Sequence, residues 1–117
     1  MRRGDVWRAN LLPVIGSEAD RSNRPVVIVS NDGRNQVSEQ SGRGVITVVP
    51  LTSNVKRVFD FQVFISADER NGLTLDSKAQ AEQIRAIDVS RLGERIGELS
   101  TEHLAALDDA LLLHLAL

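Results

Sequence analysis

The chain has no cysteine, so it can form neither a disulfide nor a thiolate metal site. Histidine is nearly absent too. His103 and His114 stand eleven residues apart near opposite ends of one C-terminal segment, and no strand-end loop carries one. That excludes a Ser–His–Asp triad and a two-histidine ribonuclease mechanism. No carboxylate triad has the spacing of a metal site, so neither a metal nor another cofactor is expected. No phosphate-cradling glycine loop is present, because Gly42-Arg43-Gly44 is too short for one. No run approaches the ~18 apolar residues that cross a bilayer. The basic start Met1-Arg2-Arg3 runs into Gly4-Asp5 rather than into the apolar centre of a signal peptide. The expected location is the cytoplasm, with no membrane partner.

What is present fits one globular domain over residues 1–117, enough for a single core. The net charge of −2 argues against a dedicated duplex-DNA binder. Charge is unevenly spread: residues 1–58 hold nine basic and five acidic side chains, residues 59–117 five basic and eleven acidic. Twelve of the fourteen basic residues are arginine, the side chain suited to bidentate phosphate contact. A solvated surface accounts for most of them equally well.

Gly4 to Leu12 alternates as a first strand and stops at Pro13. Residues 13–23 form a loop too long to be a mere connector. Pro25 to Ser30 is the second strand, and its unalternating Val-Val-Ile-Val implies burial on both faces. Asn31 or Asp32 caps a short helical turn through Val37, and Ser38 to Gly44 reads as loose. Gly44–Leu51 and Phe59–Ile65 are the third and fourth strands, and Asp68–Gly72 is a turn. Ser77 to Ile87 has helical propensity yet also alternates. Asp88–Leu92 reads as a helical turn and Arg95–Leu99 as a closing strand. After Ser100, a good N-cap, Leu104, Leu107, Leu111 and Leu115 make a helical stripe that Leu112, Leu113 and Leu117 widen beyond the needs of one core. Short strands plus one terminal helix point to a small, strongly bent sheet or barrel.

Two polar-tipped strands carry the candidate chemistry. Pro25 cannot donate to a ladder and belongs at a strand start or edge, which puts Arg24 at a strand mouth. Thr52 follows the apolar run 45–51. A guanidinium and a hydroxyl at strand ends can together hold a phosphate. Glu18, Ser17, Asn31, Ser53, Ser77, Gln83 and Arg85 complete the candidate set. Each also has an ordinary reading: a solvated loop carboxylate, a strand terminus, a surface ion pair.

Five blocks in order change that balance. Arg3-Gly4-Asp5-Val6-Trp7, Pro13-Val14-Ile15-Gly16-Ser17-Glu18, Arg24-Pro25-Val26-Val27-Ile28-Val29-Ser30-Asn31-Asp32, Val49-Pro50-Leu51-Thr52-Ser53 and Glu82-Gln83-Ile84-Arg85-Ala86-Ile87-Asp88 together resemble the MazF/PemK family of toxin endoribonucleases over nearly the whole chain. The resemblance implies a mainly β, SH3-like bent barrel of the MazF/CcdB type with a C-terminal α-helix, assembled as a homodimer. It turns the ambiguous 77–87 segment towards strand. It implies that Arg24 and Thr52 are the catalytic pair, with Glu18 orienting the loop or accepting a proton. Ser17, Asn31, Ser53, Ser77, Gln83 and Arg85 would bind substrate.

The implied reaction is metal-independent, sequence-selective cleavage of single-stranded RNA. The 2′-hydroxyl attacks the adjacent phosphate, leaving a 2′,3′-cyclic phosphate and a 5′-hydroxyl. The implied partner is a cognate antitoxin whose C-terminal segment fills the RNA groove. Two departures stand out: Ala19-Asp20-Arg21-Ser22-Asn23 replaces a glycine-rich stretch, and Ala86 stands where threonine is common. One alternative is a gyrase-poisoning toxin on the same fold. That branch uses a C-terminal Trp-containing tail, whereas this chain ends Leu115-Ala116-Leu117 and has Trp7 alone. An inactive RNA-binding barrel is the other.

Overall fold

A computed structural model describes residues 1–13, 15–16 and 23–117. The elements run β1 (Asp5–Ala9), β2 (Arg24–Ile28), α1 (Asp32–Ser41), β3 (Val45–Thr52), β4 (Gln62–Ile65), β5 (Ser77–Gln80), β6 (Arg85–Asp88), β7 (Leu92–Glu98) and α2 (Thr101–Leu115). Short 3₁₀ turns at Ala81–Gln83 and Val89–Arg91 flank β6. Every strand pair is antiparallel. The strand order is β4-β5-β3-β2-β1-β7, with β6 also on β3. The expected bent, mainly β fold with its C-terminal helix is present, but among the described residues the ladder does not close into a barrel.

β3 is the hub because it is the longest strand. Its first half pairs with β6, its last two residues with β5, and its other edge with β2. The unalternating apolar sequence of β2 has the expected cause. Val27 joins the cluster formed with Val49, Leu51, Ile65 and the helix residues Leu107 and Leu111. Val26 and Ile28 point the other way, into a second cluster with Leu11, Ile46, Val48 and Ile87, against which Trp7 packs. A strand buried on both faces has no polar side to alternate.

The chain departs from the sequence reading at several places. β1 ends at Ala9 rather than Leu12, and β7 starts at Leu92 rather than Arg95. α1 continues to Ser41, so residues 38–41 are helical rather than loose. Asn31 caps it by accepting the Arg34 N–H at 2.8 Å, and left-handed Gly42 (φ 68°) ends it. This helix has little apolar stripe. It docks instead through buried Asn35, whose amide donates to the Ser30 carbonyl at 2.8 Å. Residues 59–61 lie outside β4, because the Phe59 carbonyl closes a turn by accepting the Gln62 N–H at 3.0 Å. Segment 77–87 is strand, as the resemblance implied, but broken in two by a 3₁₀ turn.

α2 begins as its sequence indicates. Ser100 Oγ accepts the His103 N–H at 3.1 Å, and Leu99 and Leu104 flank the cap as a staple in the first cluster. No helix among the described residues is long and apolar enough to cross a membrane.

The turn before β5 positions one wall of the site. Buried Asn71 accepts from Asp68 and Leu73 N–H groups at 3.1 and 3.0 Å and donates to the Ser66 carbonyl at 2.8 Å. Gly72 is left-handed (φ 71°), and a Cβ there would stand 1.9 Å from the Ile96 carbonyl oxygen. The turn therefore lies flat on β7 and carries residues 73–75 towards the ends of β2 and β3.

Candidate active site

Arg24 is the first residue of β2 and Thr52 the last of β3. Val26 pairs with Pro50 and Val27 with Val49, so continuing that register sets Arg24 abreast of Thr52. Antiparallel pairing thus brings together two side chains twenty-eight positions apart in the sequence. Both line a cleft of about 180 Å³ whose walls include Arg8, Pro25, Leu51, Ser53, Leu73, Thr74, Leu75, Ser77 and Ile96. Arg8 reaches it from β1, opposite Pro25.

The guanidinium is held firmly. Arg24 is only 8% exposed, more buried than a strand-mouth position suggests, and its Nη1 donates to the Leu51 carbonyl at 2.8 Å. That carbonyl belongs to the peptide preceding Thr52, so the two candidate groups share one rigid linkage. Thr52 Oγ1 accepts the Asn54 N–H at 3.2 Å. A hydroxyl oxygen that accepts keeps its proton for donation. Two arginines and no acidic side chain line the cleft among the described residues. Arg8 has a loose surface partner, its Nε standing 3.6 Å from Glu94 Oε1. A phosphate is the kind of ligand such a lining attracts.

Of the other candidates, Ser53 and Ser77 also line the cleft, and Ser77 Oγ donates to the Leu75 carbonyl at 2.9 Å. Asn31 does not. It is occupied as the α1 cap and borders a separate hollow with Gly33, Arg34 and Val37. Gln83 sits on the 3₁₀ turn after β5, and Arg85 opens β6 opposite Val48, both away from the cleft. Ser17 and Glu18 lie outside the described residues. Sequence reasoning overlooked Arg8 and the Leu73–Leu75 wall. Arg8 alternates in strand one without a motif of its own, and residues 73–75 depend on the Gly72 turn.

A model for PemK-like, MazF-like toxins of type II toxin–antitoxin systems matches residues 2–115. The chain belongs to the PemK/MazF toxin family. It is 55% identical over 117 residues to Endoribonuclease MazF9 of Mycobacterium tuberculosis, covering 100% of this chain and 98% of that one. Against Endoribonuclease EndoA of Bacillus subtilis it is 37% identical over 118 residues, covering 100% and 96%. Its fold is similar to that of a mycobacterial endoribonuclease solved in complex with its cognate antitoxin. There the TM-score is 0.77 at 24% identity, over 100% of this chain and 96% of that one. The Arg24–Thr52 cleft of this family member is therefore built on the shared scaffold, from the ends of its two central strands.

Proposed function

We propose that this toxin cuts single-stranded RNA at selected sequences without a metal, using Arg24 and Thr52. Its family and its endoribonuclease relatives make it a toxin endoribonuclease of a toxin–antitoxin system. One observation carries the finer reading: Arg24 and Thr52 are tied through the Leu51 peptide within one cleft that is also lined by Arg8.

In the reaction the ribose 2′-oxygen bonds to the adjacent phosphorus as its proton departs. The bond from phosphorus to the 5′-oxygen then breaks, and that oxygen takes up a proton. The products are a 2′,3′-cyclic phosphate and a 5′-hydroxyl. Catalysis by such a site is positioning plus charge stabilisation. The Arg24 guanidinium neutralises the negative charge that grows on the phosphoryl oxygens. An arginine pKa above ~12 makes it a poor proton donor, so its part is electrostatic. Thr52 donates its hydroxyl proton to a phosphoryl oxygen and fixes the in-line geometry. Glu18 is the candidate to orient the covering loop or to accept the 2′-proton. Ser53 and Ser77 hold the flanking backbone, while Ser17, Asn31, Gln83 and Arg85 serve RNA further along its path. The 2′-hydroxyl is both nucleophile and the group that tells RNA from DNA. The cognate antitoxin places its C-terminal segment on the same cationic surface, replacing phosphate charge with carboxylate charge.

Incubating the purified toxin with RNA in EDTA and identifying the new 3′ ends tests this directly. Cleavage is expected to persist and to end in cyclic phosphate. A substrate with 2′-deoxyribose at the scissile position is expected to stay whole. Dependence on Mg²⁺, or cutting of the deoxy substrate, would place the enzyme in another mechanistic class.

A further inference from the structure

The three phenylalanines of this chain are not used where phenylalanine is usually used. None belongs to either core cluster, and Phe59 and Phe64 stand 39% and 43% exposed. Large rings left at the surface beside polar groups mark a contact surface.

Two of them form an ordered column. The Phe59 and Phe61 rings are parallel to within 4°, with centroids 5.2 Å apart. The Arg57 guanidinium also lies over the Phe59 ring, 4.6 Å from its centroid. At the far end His114 of α2 meets Phe61 at 6.2 Å. The column is joined to the cleft by one side chain. Lys78 pairs with Thr52 in the β3–β5 ladder. It is 9% exposed, and its Nζ donates to the Arg57 carbonyl at 2.5 Å while lying 5.9 Å from the Phe59 ring. Lys78 forms no ion pair among the described residues, so its charge is left to the column beside it.

We propose that Arg57, Phe59 and Phe61 form a base-stacking platform for single-stranded RNA, held beside the Arg24–Thr52 cleft by Lys78. This rests on the endoribonuclease reading and deepens it by naming a second substrate subsite. A nucleotide flanking the scissile bond stacks its base against the exposed Arg57 guanidinium and the Phe59 ring beneath it. Planar cation and ring surfaces accept any base. Arg57, Lys78 and the adjacent Lys56 favour a polyanion, with Asp60 the acidic side chain in the same connection.

The test uses an RNA carrying the mapped cleavage site with a 2′-O-methyl group at the scissile ribose, so that it binds without being cut. The fluorescent base 2-aminopurine is placed at each flanking position in turn. Quenching is expected at one position with the wild-type toxin and is expected to disappear with Phe59→Leu and Arg57→Gln. Phe59→Leu should weaken binding of this RNA roughly 5- to 150-fold, the range one aromatic stack supplies. An RNA shortened to omit the stacked nucleotide should bind both proteins alike. Arg57→Gln changes only an exposed side chain and guards against a misfolded Phe59 variant.

Equal affinity of wild type and both variants for the longer RNA, with cleavage intact, would overturn the platform and leave the cleft assignment standing. So would unchanged RNA affinity with an altered sedimentation mass, which would make the column a protein contact. A wild-type toxin that neither binds nor cuts RNA would instead refute the endoribonuclease reading itself.

Discussion

At the scale of single residues, Arg24 does two jobs that a mutation must separate. It lines the cleft, and it is buried with a hydrogen bond to the Leu51 carbonyl. Arg24→Ala should therefore lower stability by about 1–3 kcal/mol as well as abolish cleavage, because buried hydrogen bonds to a charged group are expensive to lose. Arg24→Lys keeps the charge but not the fork. Thr52→Val keeps the shape and removes the hydroxyl. In each folded variant, losing one transition-state donor should slow single-turnover cleavage roughly 100- to 1,000-fold. Near-normal turnover by a folded Arg24→Ala protein would remove Arg24 from the site.

Asp88 offers a second test at this scale. The Ser90 hydroxyl and backbone N–H both donate to it and hold its carboxyl below the ordinary 3.8. A depressed folded-state pKa means that ionised Asp88 favours the fold above the ordinary value. The contribution fades as pH falls through and below that value. NMR titration of the side-chain carboxyl should give a midpoint under 3.8, and Ser90→Ala should raise it.

Among the elements, the decisive features are caps and close approaches. Ser100→Ala removes the acceptor for the His103 N–H and should cost about 1 kcal/mol, read from urea unfolding. Gly72→Ala should be far worse, about 3 kcal/mol or more, because a left-handed backbone and a 1.9 Å clash with β7 coincide there. Cleavage should fall with it, since this turn delivers the Leu73–Leu75 wall. Wild-type stability in Gly72→Ala would show that the turn does not rest on β7 as described. Helix α1 was half legible. Its Asn31 cap shows in the sequence, but its length does not, because the helix is anchored by buried Asn35 and stopped by Gly42 rather than by an apolar stripe. Segment 77–87 misleads in the opposite direction. Lys, Ala, Gln and Glu favour helix locally, and pairing with β3 and β4 overrides that preference.

For the whole molecule, the wide apolar arc of α2 is used only in part. Leu107 and Leu111 are buried, whereas Leu112, Leu113, Leu115 and Leu117 remain exposed. A second subunit would cover them, and a two-fold pair would set two clefts along one RNA groove. Sedimentation at micromolar concentration should report roughly twice the chain's 12.8 kDa, and Leu113→Glu with Leu117→Glu should shift it to monomer. A wild-type monomer that still cleaves RNA would refute the shared groove while leaving the Arg24–Thr52 chemistry in place.

The sequence by itself determined the strands of the two valine-rich runs, the capped terminal helix, and Arg24 and Thr52 as polar tips of buried strands. Those features are local: β-branched runs, an N-cap serine, a proline confined to the start of its strand. Tertiary structure alone decided that the two tips are neighbours, because proximity comes from the antiparallel register of β2 on β3. It also withdrew Asn31, Gln83 and Arg85 from the cleft and admitted Arg8. Which face a strand residue shares depends on its partners, and no local pattern records that.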